Sequence, residues 1–298
     1  MHGTIPRPDR TVIGIGFAFL GFAILSSADA LTKLLSSHYS IFEIASIDAV
    51  FASLIVIPVV VRAEGFASLR PRRPGLVLLR CALAAGSLIF CFVAFSKIPL
   101  ADGYAIAFIA PLAVTALSVP LLGERVGWRQ WISVMVGFAA VTIILRPDVG
   151  AAGFGQFCML ASALLFALSL LVLRLIAASE PTGALMIAYL GMVFAMGLPM
   201  ALAEWRTPML RDFALLFVMG LCTGLGNVVL IKAARAAPAA IVSSFMYTQL
   251  VWGGVLGLLL FGDLPDSITL IGSAVIIACG LYTLWHASRQ ARIEATAQ

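Results

Sequence analysis

Residues 121–128, LLGERVGW, close one long apolar run on a glycine and an acid and then open another; residues 260–267, LFGDLPDS, do the same. Laid over each other at a shift of 139, the two stretches bring further points into line. Pro99 falls on Pro238, Ala101 on Ala240, Gly123 on Gly262 and Glu124 on Asp263. Each proline can open a helix, where its missing N–H is harmless, and each glycine can end one. At a shift of 141, Lys33 late in one run meets Arg174 late in another. Few of the intervening residues are identical, so the echo lies in punctuation. It describes one architecture built twice, with the bound set near residue 148: a first unit over 1–148 and a second over 149–298.

Composition says where that architecture lives. Hydrophobic residues make up 62% of the 298 and charged residues 11%, against about a quarter charged in soluble domains. Mean hydropathy is +1.07. A membrane span needs roughly 20 mainly apolar residues, because a rise of 1.5 Å per residue must cross about 30 Å of hydrocarbon. Ten runs meet that need: 12–36, 41–61, 75–96, 99–122, 128–145, 153–178, 182–203, 212–235, 238–261 and 267–286. They lack the alternation of barrel strands, so they are helices, which satisfy every backbone polar group internally. The expected fold class is an all-α integral membrane protein with ten transmembrane helices. Only 62–74, 204–211 and the tails offer appreciable polar chain, too little for a separate soluble domain.

The first run is too long for a cleavable signal and lacks an A-x-A site, so it is expected to be retained. Cys81, Cys91, Cys158, Cys222 and Cys279 form no C-x-x-C pair and have no nearby histidine, so they are expected as small buried side chains, with no metal and no cofactor. The net charge of +5 follows orientation and does not call for nucleic acid. With the N-terminus in the cytoplasm, that side collects 14 of the 19 Lys and Arg, among them the cluster RPRRP at 70–74, and leaves Lys33, Lys97, Arg146, Arg206 and Arg211 on the other. The positive-inside rule then places both termini in the cytoplasm.

Five runs per unit is an odd number, so the second unit enters the membrane the other way up. Two inverted five-helix repeats are the arrangement of many secondary transporters, which open a shared central site to one face and then the other. Here the sequence resembles a known family, the ten-span drug/metabolite transporter superfamily and in particular its EamA-type members. The resemblance rests on the P-x-A starts at Pro99 and Pro238, the L-G-E at Leu122–Glu124 with its counterpart F-G-D at Phe261–Asp263, the basic residues Lys33 and Arg174, and the 5+5 layout. It implies a multi-pass protein of a bacterial inner membrane that carries a small-molecule substrate through the lipid bilayer without catalysing a reaction. Within that family, length and aromatic content look most like bacterial exporters of aromatic amino acids of the YddG kind. Export of amino acids, aromatic ones above all, is the expectation that follows.

Ionisable residues inside spans cost at least about 2.5–3.5 kcal/mol at mid-bilayer, so they must be paired, hydrated or useful. Asp29 and Lys33 stand four apart on one helix, the spacing of an intrahelical ion pair that would neutralise itself. The alternative is that Asp29 takes a substrate amine or a coupling proton, and Asp29, Lys33 and Asp48 are the candidates for coupling or gating. Asp48 has no opposite charge at helical spacing, whereas Glu43 and Asp102 lie near helix ends where water reaches them. Asp263 is expected as a solvated acid in a turn. Asn227 is expected to hydrogen-bond across helices and is counted among the candidate substrate-binding residues.

A substrate cavity is expected from two aromatic stretches. Tyr104 and Phe108 share a helix face and precede Pro111, which frees a backbone carbonyl. Ser244, Tyr247, Thr248, Gln249 and Trp252 lie near the corresponding level of the second unit. Pro99, Pro111 and Pro238 are expected as hinges. Gly220 with Gly224, and Gly253 with Gly257, are small-x-x-x-small pairs whose expected use is packing within a monomer. The rival readings are weaker. An intramembrane enzyme would want H-E-x-x-H or G-x-S-x-G, and neither occurs. A receptor or scaffold fits the composition but needs no duplication, and an importer of another metabolite shares every feature above.

Overall fold

A computed structural model describes residues 8–123, 127–145, 151–177, 179–237, 242 and 244–296. Among these residues all regular structure is helical: α1 (Pro8–Leu35), α2 (Ile41–Glu64), α3 (Pro74–Phe95), α4 (Leu100–Ala107), α5 (Ala110–Leu122), α6 (Trp128–Leu145), α7 (Ala151–Ile176), α8 (Thr182–Ala203), α9 (Leu210–Ala236), α10 (Thr248–Phe261) and α11 (Ser267–Thr296). Short 3-10 turns at Phe66–Leu69 and Phe245–Tyr247 complete them. Among the described residues seven segments are long and apolar enough to cross a membrane, Leu100–Leu122 counting as one. Three shorter apolar segments, Gln130–Ile143, Phe245–Phe261 and Ser267–Tyr282, account for the other runs. The exterior is apolar as well as the interior: Leu54, Leu78, Phe157, Leu202 and Leu259 all face outward. Such a surface is stable only against hydrocarbon.

Local sequence explains the boundaries. Pro74 begins α3 at its first turn, and Pro99 and Pro181 immediately precede α4 and α8. Gly123 and Gly262 end α5 and α10 in the same left-handed conformation, at φ 68° and 71°. The Gly123 N–H donates to the carbonyls of Ser118 and Val119, and the Gly262 N–H to those of Gly257 and Leu258. These four acceptors also correspond at the shift of 139. A Cβ at either glycine meets no neighbour, so the cost of adding one is conformational only. Gly123→Ala and Gly262→Ala should each lower stability by about 1 kcal/mol, read as a fall in detergent melting temperature. Equal stability in both variants would contradict the cap geometry.

The fourth run is not one helix. Pro111 has no N–H to give the Ala107 carbonyl, and its ring crowds that carbonyl, so the chain tightens for one turn. The Phe108 N–H still reaches Tyr104, but the Ile109 N–H bonds back only to Ile106. The ninth run, expected continuous, breaks at the corresponding level without a proline. There the Thr248 hydroxyl donates to the Phe245 carbonyl at 2.6 Å, the competition with backbone by which a hydroxyl loosens a helix. Pro238 lies outside the described residues.

The helices pair in a pattern that repeats. With the runs numbered one to ten, run 1 (α1) packs on run 8 (α9) and run 3 (α3) on run 6 (α7); advancing each number by five turns one pair into the other. Runs 2 and 7 (α2, α8), 5 and 10 (α6, α11), and 4 and 9 (α4, α10) each pack on their own counterpart. Among the described residues, two large hydrophobic cores and two small ones result. One large core surrounds α4 and holds Phe95, Tyr104, Phe108, Ile109, Met159, Tyr247 and Ile276. The other surrounds α2, with Ile44, Val56, Phe92, Val193, Leu216 and Met219. Polar clasps tie neighbours inside the lipid-facing shell, as where Ser87 and Ser162 exchange hydrogen bonds between α3 and α7.

Small residues set the spacing. Gly220 and Gly224 of α9 lie against α2, where added methyls would strike Phe51 and the Ala52 carbonyl. Gly253 of α10 lies under the Tyr104 ring, at 2.5 Å from an added Cβ to Cδ2. All three serve contacts within the chain; Gly257 packs instead beside Asp263 at its own helix end.

Candidate functional site

The site is built where the two large cores meet α1. Asp29 enters from α1 and accepts a hydrogen bond from the Tyr104 hydroxyl of α4 at 2.6 Å. Tyr104 is only 4% exposed. Its ring is fixed on one side by Gly253 and meets Phe95 edge-on at 5.3 Å. Asp48 of α2 is 2% exposed, with Thr223 of α9 beside it and the Asp29 charge near enough to act on its own. Its Oδ1 has no hydrogen-bond partner. Neither carboxyl is in an ion pair among the described residues. Two acids thus sit inside the helical bundle with no ion-pair partner among the described residues.

The aromatic residues divide. Phe108 lies one helical turn on from Tyr104, just ahead of the break at Ile109, and meets a different ring. It stacks edge-on against Tyr247 at 5.0 Å, the residue 139 positions along. The Tyr247 hydroxyl is buried with no hydrogen-bond partner among the described residues, and its ring occupies the space beside Gly280, where an added Cβ would overlap it. Trp252 packs on Phe19 of α1 at 5.4 Å, its buried Nε1 likewise unpartnered. Ser244 begins the 3-10 turn, Thr248 closes it, and Gln249 follows half-buried in the first turn of α10. Pro99 precedes the most deeply buried helix, α4, and Pro111 starts α5. Among the described residues no group of three His, Cys, Asp or Glu gathers as a metal site would require, and the five cysteines are free.

Four expectations are corrected. Lys33 does not neutralise Asp29: its ammonium donates to Asp263 Oδ2 at 2.7 Å and to the Ile98 carbonyl at 3.1 Å, and lies over the Phe261 ring. Tyr104 offers Asp29 a hydrogen bond in place of that ion pair. Asp263 is consequently an ion-pair partner and not merely a solvated turn residue. Glu43 is fully buried, one oxygen accepting the Arg206 N–H at 3.3 Å. Asn227 donates to the Thr223 carbonyl of its own helix at 2.8 Å, one turn back. The signal that could have found Asp263 was present: the shifts that match Lys33 with Arg174 and Glu124 with Asp263 single out four charges as one set.

Comparison with known proteins adds the last observations. The EamA-like transporter family matches this chain twice, over residues 12–146 and 153–285. An S-adenosylmethionine uptake transporter of Rickettsia bellii is 28% identical over 274 residues, covering 92% of this chain and 94% of that protein. A riboflavin transporter of Rhizobium johnstonii is 27% identical and covers 96% of this chain and 95% of its own length. A pseudopaline exporter of Pseudomonas aeruginosa is 27% identical over 89% of this chain and 94% of that one. A solved crystal structure superposes with a TM-score of 0.64 at 18% identity, covering 93% of this chain and 97% of the other.

Proposed function

The chain belongs to the EamA-like transporter family, and from that premise we propose that it carries a metabolite combining positive charge with a planar ring, S-adenosylmethionine being the first candidate. The observation that carries this is the Asp29–Tyr104 pair with Asp48 nearby. A buried or half-buried carboxylate without an ion-pair partner is costly, and a cationic solute removes that cost while it is bound. S-adenosylmethionine brings a sulfonium and an ammonium for the two acids, and an adenine ring for Tyr104, Phe108, Tyr247 and Trp252. Aromatic faces also attract such cations directly. The relatives reported above are named for S-adenosylmethionine, riboflavin and pseudopaline, and those names lend no support to aromatic amino acid export.

Movement is by alternating access between two inverted five-helix halves, 1–148 and 149–298. Support comes from the double family match, the matching glycine caps, the pairing of runs with their counterparts and the Phe108–Tyr247 contact. Breaks in both central runs give each half a joint at mid-depth, with Pro99, Pro111 and Pro238 as the stiff points around it. The protein lies in a bacterial inner membrane with cytoplasmic termini, as the positive-inside rule favours, and works as a monomer.

The test is uptake of labelled S-adenosylmethionine into liposomes holding the purified protein, with and without a pH gradient, against parallel riboflavin and phenylalanine arms. Saturable uptake of S-adenosylmethionine, competed by excess unlabelled compound, is expected. Saturable movement of phenylalanine or riboflavin alone would replace the substrate, and movement of none of the three would remove the cationic-solute reading.

A further inference from the structure

At one end of the bundle, Lys33 in the last turn of α1 reaches across the molecule. Its ammonium lies 2.7 Å from Asp263, just beyond the Gly262 cap of α10, and 3.1 Å from the Ile98 carbonyl between α3 and α4. The Phe261 ring sits beneath it, 4.7 Å away. One side chain thereby joins the C-terminal ends of α1, α3 and α10, two from the first half of the chain and one from the second. The side chains are 15% and 34% exposed, so the pair sits at the rim, open to solvent on one side.

We propose that the Lys33–Asp263 ion pair is a latch that holds this end of the transport path shut and must part before solute passes. The inference rests on the alternating-access reading above. A latch must bridge parts that move relative to each other, and this pair bridges the two proposed halves. It must also be breakable, and a rim pair contributes little enough for solvent to replace it. Below it on α1, one helical turn towards the middle, is Asp29. The same residue that closes the end therefore lies on the helix that presents the proposed substrate acid, so occupancy at Asp29 and closure at Lys33 move one element. In sequence, the counterparts of the pair are Arg174 and Glu124, which makes these the residues to examine at the opposite end; Glu124 lies outside the described residues.

The experiment reads access without needing a substrate. Cys91 of α3 is half-buried, packs against the α4 core and lies close to Asp29, so opening of a path down to Asp29 would expose it. In the full-length protein, a membrane-impermeant maleimide is applied separately to each side of the membrane and labelling at Cys91 is read by peptide mass spectrometry. Lys33→Met and Asp263→Asn should each raise labelling from the latch side by about fivefold, the population shift a pair of this exposure can hold, and Lys33→Asp combined with Asp263→Lys should return it towards the wild-type level. Unchanged or lower labelling in the single variants would overturn the latch. A rise that is equal from both sides, or that the swap does not reverse, would also overturn it, because it shows general loosening. Absence of S-adenosylmethionine uptake leaves this result intact, so the substrate and the latch fail separately.

Discussion

Asp29→Asn should reduce S-adenosylmethionine uptake by about 100-fold while raising the melting temperature of the empty protein. Asparagine fills the same space and can still accept the Tyr104 hydroxyl, so the 2.6 Å contact has a replacement and the fold has no reason to change. What goes is the charge. Truncating one partner of a buried charge pair costs about 2–5 kcal/mol of binding, and the lower half of that range corresponds to the expected loss. In the empty protein the same substitution removes a half-buried carboxylate that has no ion-pair partner among the described residues, which is a gain. Asp48→Asn should act in the same two directions. Transport assays and detergent melts on the same preparations decide it. A fall in both would make Asp29 a structural residue, and preserved uptake would remove it from the site.

Gly220→Leu should leave no stably folded protein, whereas Gly254→Ala should be neutral or stabilising. The first glycine lies where α9 meets α2. Even a single methyl there would overlap Phe51 Cβ and come within 3.3 Å of the Ala52 nitrogen and the Asp48 carbonyl oxygen. Backbone cannot rotate out of the way, so the helices must separate along a contact that also places Asp48. Overpacking of one methylene or two costs about 1–3 kcal/mol, and a leucine adds more than that in a chain with little margin. Gly254 is on a helix as well but has no atom within 4 Å of an added Cβ. There alanine contributes only its better helix propensity, about 1 kcal/mol. Size-exclusion profiles and melting temperatures separate the outcomes. A well-folded Gly220→Leu would mean the α2–α9 contact is looser than described.

These two residues also show how far the sequence could be read. Gly220 and Gly224 announce close packing through their spacing alone, and the structure gives them a partner, α2, that spacing cannot name. The helices, their ends and the matching caps at Gly123 and Gly262 are legible because hydropathy and backbone geometry act locally. The Asp29–Lys33 spacing is equally local, and there it misled. A pair four apart on one helix competes with every group the fold brings near, and Tyr104 and Asp263 arrive from 75 and 230 positions away. The break at Pro111 is written in one residue; the break at Phe245–Tyr247 depends on which carbonyl the Thr248 hydroxyl meets. Asp48 has no opposite charge at helical spacing, which is a statement about neighbours one turn away; the fold sets Thr223 of α9 beside it, which spacing cannot name.

The contact between Phe108 and Tyr247 carries one more consequence. A residue that touches its own counterpart lies on whatever axis relates two copies, and a point on an axis is the one place that stays still when the copies trade shapes. Under the two-copy reading the ring pair is the fulcrum of a see-saw: the rims travel furthest, and mid-depth travels least. Tightening or loosening that single stack would then change how fast the beam tips without changing which way it rests when empty.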